Sequence, residues 1–338
     1  MLKWRDGKVL ICLAAIAVLL FISILLDLSW ASSNLSLSDV WNVLIGRGTW
    51  ANNLIVKDNS LRVAIGVFVG MGLAASGCVM QALFRNPMAS PYLLGLSSGA
   101  SLGAAIGILL PLQVISSLFV VPALSFATCF ATMLIVYSMS RVGGRTNTET
   151  LLLTGIAISA MLSAFVSFLT FISGDKLESV VFWSMGSLSR ATIEQILIAA
   201  PLIVIGIMMM FSYSKDLNAI MLGDDFALDL GIEVNRTRLI LLIASTLTVA
   251  ASVAFVGTIG FVGLIIPHIF RIILGPDNRI LIPVSAFGGA AFLVICDYIS
   301  HIFSNYYGVL PIGVLTAMIG APYFLYLLKR RKKSVGWS

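Results

Sequence analysis

Val69-Gly70-Met71-Gly72-Leu73-Ala74-Ala75-Ser76-Gly77-Cys78-Val79-Met80-Gln81 is an apolar stretch rich in small residues, and Phe84-Arg85-Asn86-Pro87-Met88-Ala89 closes it with a short polar loop. Gly66, Gly70, Ala74 and Cys78 recur at four-residue steps, so they share one face of a helix. Small-residue rows of this kind let helix backbones approach closely inside a membrane. Gly95, Gly99 and Gly103 repeat the pattern in the next stretch. Both rows read as helix packing rather than substrate contact.

Composition extends this reading to the whole chain. Of 338 residues, 59% are hydrophobic and 11% charged, and the mean hydropathy is +1.03. Soluble domains carry roughly 25% charged residues, so a soluble fold is excluded. A helix needs about 20 mostly apolar residues to cross a hydrocarbon core of about 30 Å. Stretches of that kind lie at 9–29, 62–84, 91–110, 115–140, 150–172, 192–212, 238–256, 258–274, 281–303 and 311–328. They predict an all-α integral membrane protein of about ten transmembrane helices, one unit over 1–338. Gly257, Gly260, Gly263 and Pro267 crowd the seventh and eighth stretches. A short or broken helix is expected there, which is tolerated at membrane depth only when buried in protein or lining a watery cavity.

An even number of spans places both termini on one side. With the termini inside, sixteen of the 21 Lys and Arg fall in inner segments and five in outer ones. Cytoplasmic loops carry the excess of basic residues, so both ends are expected in the cytoplasm and the chain in the cytoplasmic membrane. The net charge of +6 follows from this bias. It points to anionic headgroups and not to nucleic acid. Lys3, Arg5 and Lys8 precede the first stretch, and Ser29-Trp30-Ala31 faintly resembles a cleavage site. A signal h-region spans only about 7–15 residues, so this longer run reads as a retained span.

Chemistry-bearing residues are few at membrane depth. Cys12, Cys78, Cys129 and Cys296 each stand alone in an apolar stretch, and His268 and His301 lie far apart in sequence. No structural metal site is legible, and isolated thiols read as small hydrophobes. Asp297 and His301 lie four residues apart near the outer end of span nine, where they share a face, and Asp27 lies near the outer end of span one. Intramembrane ionisable residues are costly and usually functional. Nothing here resembles a proton relay, a nucleophile–base pair or a catalytic metal set. A membrane enzyme and a proton-driven carrier are therefore disfavoured, and the energy for uphill transport is expected from a partner.

The run 69–81 with Phe84 to Pro91 and Leu94-Gly95 is similar to the signature of the FecCD family, BtuC-like permease subunits of ABC importers. Further matches come in order: Leu152-Leu153-Thr154-Gly155-Ile156-Ala157, Trp183-Ser184-Met185-Gly186-Ser187-Leu188, and Leu222-Gly223-Asp224-Asp225 with Leu230-Gly231. Gly260 to His268 comes next, and Leu310-Pro311-Ile312-Gly313 to Ala317 with Gly320-Ala321-Pro322 closes the series. The resemblance spans nearly the whole chain. It implies a homodimer around a central pathway, two cytoplasmic ABC ATPase subunits and an external substrate-binding protein. It implies no cofactor of this chain's own, since ATP and Mg belong to the ATPase. The chain has no phosphate-binding loop of the Gly-x-x-x-x-Gly-Lys-Ser/Thr kind.

The resemblance also implies roles, residue by residue. The segment of about 219–234 resembles the ATPase-coupling pair of short helices, with Leu222, Gly223, Asp224, Asp225, Asp229, Leu230 and Gly231 as its residues. Asp224 and Asp225 suit a helix N-terminus and Gly231 a C-cap, here of the first helix. Asp229 and Glu233, four apart, are expected to form an acidic face. Asn86 and Met88 match the inner gate, with Asn147 and Thr148, and Asn86-Pro87 is equally a simple turn. Thr154, Ser159, Ser163 and Ser167 match the pathway-lining span, where hydroxyl bonding between helices is the alternative. Arg62 matches the second arginine of the family's outer docking motif, Asn59 departs from the first, and His301 stands where relatives often have arginine. His is largely neutral at pH 7, unlike Arg, so docking is expected to lean on other residues such as Lys57.

The resemblance thus implies an importer permease that moves a metal chelate: ferric siderophore first, cobalamin or haem next. An oxyanion such as molybdate is the alternative cargo, and a gradient-driven secondary transporter the rival mechanism.

Overall fold

The absence of side chains decides which helices touch. A Cβ on Gly70 would enter the backbone of Gly289 and Ala290, and one on Gly77 would enter the backbone of Gly263. One long helix therefore lies backbone against backbone with two others, as the small-residue row predicts.

The computed structural model describes residues 2–30, 35–110, 117–142, 145–189 and 191–335. In chain order the helices are α1 (Leu2–Trp30), α2 (Leu37–Leu44), α3 (Trp50–Leu83), α4 (Leu96–Leu109), α5 (Ser117–Met139), α6 (Thr148–Phe171), α7 (Leu177–Met185) and α8 (Ile193–Ser212). Next come α9 (Ser214–Leu222), α10 (Asp224–Asp229), α11 (Val234–Val256), α12 (Val262–Leu274), α13 (Asn278–Tyr307) and α14 (Ile312–Val335). A 3-10 turn, Pro91–Leu94, leads into α4, and Arg141–Val142 pairs antiparallel with Arg145–Thr146 in a minimal hairpin. The residue expected to open span four (115), Ala31 of the faint cleavage site and Arg190 lie outside the described residues.

Among the described residues, seven helices are long and apolar enough to cross a membrane, and three shorter apolar ones, Leu96–Leu109, Val262–Leu274 and Ile312–Leu327, occupy the expected third, eighth and tenth spans. Among the boundaries that depart from expectation, two bear on the site. First, α3 begins at Trp50 rather than at 62, because Thr49 caps it by accepting from Asn52 N at 3.3 Å and the polar turns continue as helix. At about 1.5 Å per residue, its 34 residues outreach the hydrocarbon core. Second, α12 has 13 residues, only about 20 Å. The irregular segment 257–260 leads into it.

That segment and the residues beside it are tied to other irregular stretches. Ser187 N donates to Val256 O at 2.7 Å, and Ile312 N to Gly186 O at 3.1 Å. Thr258 Oγ1 donates to Ser184 O at 2.5 Å and Tyr92 OH to Ile259 O at 2.8 Å. Backbone polar groups without water must find partners in protein. Here three of the sequence motifs provide them for one another.

The core runs along α3, which packs against α13, α8, α11 and α12. At the other extreme, α6 turns Leu153, Ile156, Met161, Phe165, Phe168 and Phe171 outward.

Candidate functional site

The end of the molecule that carries the loop 85–89 and the segment 219–234 is built on two helix terminations of the same kind. At the end of α3, Arg85 N donates to Ala82 O at 3.1 Å and Asn86 N to Gln81 O at 3.0 Å. This is the Schellman pattern, whose left-handed residue is usually glycine. Here that residue is Arg85, with φ 47°. A non-glycine residue there costs about 1–2 kcal/mol, so the side chain is retained against strain. After it, Asn86 Oδ1 accepts from Met88 N at 3.0 Å and Ala89 N donates to Asn86 O at 3.0 Å. The turn expected at Asn86-Pro87 is present, with Met88 half-buried in it.

The second termination belongs to the segment 219–234. It folds as two short helices, α9 and α10, broken at Gly223 with φ 148°. Gly231, at φ 78°, sends its N–H to Leu228 O at 2.9 Å, and Ile232 N bonds Ala227 O at 3.0 Å. Two expectations are corrected here. Gly231 closes the second helix and not the first, because α9 starts at Ser214 and ends before Gly223. Asp229 and Glu233 do not form one helical face: Asp229 ends α10, whereas Glu233 precedes α11 and pairs with Arg236 at 3.5 Å.

Asp224 and Asp225 lie in the first turn of α10, where carboxylates meet the positive end of the helix dipole. The Asp224 carboxylate receives Arg238 Nη2 at 3.1 Å and an ion pair from Arg85 Nη2. Arg85 Nε also donates to Ile220 O at 3.0 Å. On the other side of the pair, Asn218 Nδ2 donates to Asp277 Oδ1 at 2.8 Å and Asn278 N to Asn218 Oδ1 at 2.9 Å, tying α9 to the start of α13. The Arg279 guanidinium bonded to Asp277, with Asn218 beside it, holds that carboxyl well below the usual carboxylate range. The face left over is apolar. Leu222 is 73% exposed, Phe226 46%, Leu228 50% and Leu230 60%.

Asn147 caps α6 by accepting from Glu149 N at 2.9 Å, and Thr148 is the first residue of that helix. Asn86 and Asn147 thus both cap or turn chain ends, and among the described residues no hydrogen bond joins the two pairs. Along α6, Ser159 Oγ donates to Gly155 O at 2.7 Å and Ser167 Oγ to Ser163 O at 3.0 Å. Ser163 Oγ lies 3.1 Å from Ser98 Oγ on α4. Ser163 and Ser167 are exposed, while Thr154 and Ser159 are half-buried. The stripe is therefore mildly polar, since most of its hydroxyl protons are used within the protein.

At the Asp27 end of α3 the geometry departs from the docking expectation. Arg62 and His301 do not face outward: they are 5% and 6% exposed. Arg62 Nη2 pairs with Asp27 at 2.9 Å and Nη1 with Asp297 at 3.1 Å, and Nη1 also contacts the His301 ring. Asn59 Nδ2 donates to Leu28 O beside them at 3.2 Å. The cause is Asp27, which brings a carboxylate from α1 to the guanidinium. Atoms of Asp27, Asp297 and His301 lie within 4.8 Å of one another, as a metal would require. The guanidinium reaches all three, so the cation in this cluster is the chain's own. Lys57 stays exposed on the projecting part of α3.

The sequence matches the FecCD transport family over residues 19–330. The chain belongs to that family. Among FecCD relatives, the cobalamin import system permease BtuC of Halobacterium salinarum is 42% identical over 271 residues, covering 80% of this chain and 72% of that one. The hemin transport system permease HmuU of Yersinia pestis is 37% identical over 324 residues, covering 95% and 96%. A solved metal-chelate type ABC transporter in an inward-facing conformation aligns with a TM-score of 0.83 at 29% identity, covering 96% of this chain and 99% of that one. This FecCD chain is thus a multi-pass membrane permease of an ABC transporter family, on the all-helical fold expected.

Sequence reasoning missed Arg85, Arg238, Asn218, Phe226 and Leu228. The first three act through partners 14 to 139 residues away. The last two carried a legible signal, two large apolar residues inside an otherwise acidic loop.

Proposed function

We propose that this chain is the transmembrane subunit of a binding-protein-dependent ABC importer that moves a metal chelate across the cytoplasmic membrane, with both termini inside. It works as a homodimer. Two ATPase subunits hydrolyse ATP, and an external binding protein delivers the cargo. Ferric siderophore is the first candidate cargo, and cobalamin and haem, the cargoes in the relatives' names, come next.

The observation that carries this reading is the α9–α10 pair. It is ordered, braced on both sides by hydrogen bonds, and still exposes Leu222, Phe226, Leu228 and Leu230 to the basic side of the membrane. Apolar residues clustered outside the spans mark a protein interface, and α9–α10 accordingly docks the ATPase. The exposed apolar side of α6 supports its placement along the dimer axis, where Thr154, Ser159, Ser163 and Ser167 line the pathway and Asn86, Met88, Asn147 and Thr148 close it. At the outer surface, Lys57 takes the docking role that the burial of Arg62 and His301 leaves open.

The test is co-purification in detergent with candidate ABC ATPases. Charge reversal at Asp224 is unsuitable, because it would break the pairs to Arg85 and Arg238 inside the permease. Leu222→Glu with Leu230→Glu alters only exposed side chains. The wild type is expected to form a complex of two permeases and two ATPases, and the double variant to stay folded and lose it. A wild type that binds no ATPase and takes up chelate in ATP-free vesicles overturns the proposal.

A further inference from the structure

We propose that Arg85 is a positioning residue that transmits displacement of α9–α10 to the loop 85–89. This rests on the proposed function, in which α9–α10 meets the ATPase and Asn86 with Met88 closes the pathway.

Three observations carry it. The first is the backbone. Arg85 holds the left-handed position of a Schellman turn, where glycine is free of strain and most helices place it. A side chain kept there against strain points to a use for that side chain. The second is the reach of the side chain. Its Nε bonds Ile220 O near the end of α9, and its Nη2 pairs with Asp224 at the start of α10. One guanidinium thus grips both short helices across the Gly223 break. A planar fork with donors in fixed geometry suits two such partners, whereas an ammonium does not.

The third is the bracing of the loop immediately after Arg85. Asn86 Oδ1 accepts from Met88 N, and Asn86 O accepts from Ala89 N. Displacement at Arg85 therefore moves the loop as a unit. Asp224 is meanwhile held by Arg238, which is 4% exposed at the start of α11. The carboxylate joins the loop, α10 and α11, so a shift of α10 pulls on Arg85.

Arg85→Gly separates linkage from folding, because it removes the grip and relieves the turn. In the purified full-length permease, the melting temperature should not fall. Hydrogen exchange at the amides of 85–89 should accelerate about tenfold, since the loop then opens locally. Unchanged exchange overturns the inference. A second arm uses the ATPase that passes the binding test, with a spin label at Ser90→Cys in a background lacking the native cysteines. In the complex, nucleotide should shift the distance between the two labels of the dimer. Arg85→Gly should cut that shift per ATP hydrolysed by about tenfold, and Arg85→Lys should restore part of it. A full shift in Arg85→Gly also overturns the inference. If no ATPase binds the wild type, the importer reading fails, and the exchange arm still decides the linkage within this chain.

Discussion

Two arginines bracket the membrane part of α3, and they are used in opposite ways. Arg62 lies between Asp27 and Asp297 with side chains at most 7% exposed. Arg85 meets Asp224 with both side chains near half exposed, 44% and 43%. The groups are the same, and only the surroundings differ. Inside, removing one partner leaves an uncompensated charge, so the cluster acts as a bolt through α1, α3 and α13. At the wet surface, water and salt replace a lost partner cheaply, so the pair holds position with little contribution to stability. One helix thus carries a fixed end and an adjustable end.

The largest effect should come from the fixed end. Arg62→Ala is expected to destabilise by about 3–5 kcal/mol, read from unfolding in mixed detergent micelles. A loss below about 1 kcal/mol, the range of exposed pairs, breaks the comparison. Next comes the rod between the two ends. Gly77→Ala forces α3 away from Gly263 on α12 and should cost about 1–3 kcal/mol. A neutral result would mean that the two ends are not joined by rigid packing. Arg85→Gln, which leaves Asp224 paired with Arg238, should cost about 1 kcal/mol or less, an effect that shrinks at high salt while that of Arg62→Ala does not. Equal salt responses would remove the distinction between bolt and tether.

The smallest effect is a pH dependence on the α9 side. Asp277 is held below its ordinary value by Arg279 and Asn218. Its contribution is therefore complete above the unfolded value of about 3.9 and is lost as pH falls through the lower folded value. Melting of the wild type and of Asp277→Asn, compared from pH 7 downward, should stay at constant separation until about pH 4 and then converge. Convergence near neutral pH would show that Asp277 is not engaged in the folded protein.

The periodic part of this fold is legible in the sequence. Spans, the glycine rows and the break near Gly257 all come from hydropathy and small-residue spacing, which are local properties. Asp224 and Asp225 at a helix start are legible for the same reason. Partnership is not. Asp297 and His301 announce each other at four residues, but Arg62 finds Asp27 across two helices, and no single sequence records that. Sequence reasoning therefore assigns Arg62 to an outside partner when a buried one is available. The left-handed turn at Arg85 is hidden differently, because arginine is the wrong residue for it by propensity. Sequence rules fail there because the side chain's task overrides the backbone's preference.

The Arg62 cluster also sets an order of assembly. Asp27 and Arg62 are 35 residues apart, so the first long pair of helices can enter the bilayer with the guanidinium already neutralised. His301 lies 239 residues from Arg62, and Asp297 four before it. At about 5–20 residues per second, these two arrive tens of seconds later. An early α1–α3 hairpin then waits with its charge matched, and α13, among the last helices made, completes the cluster as it docks along the glycine face of α3.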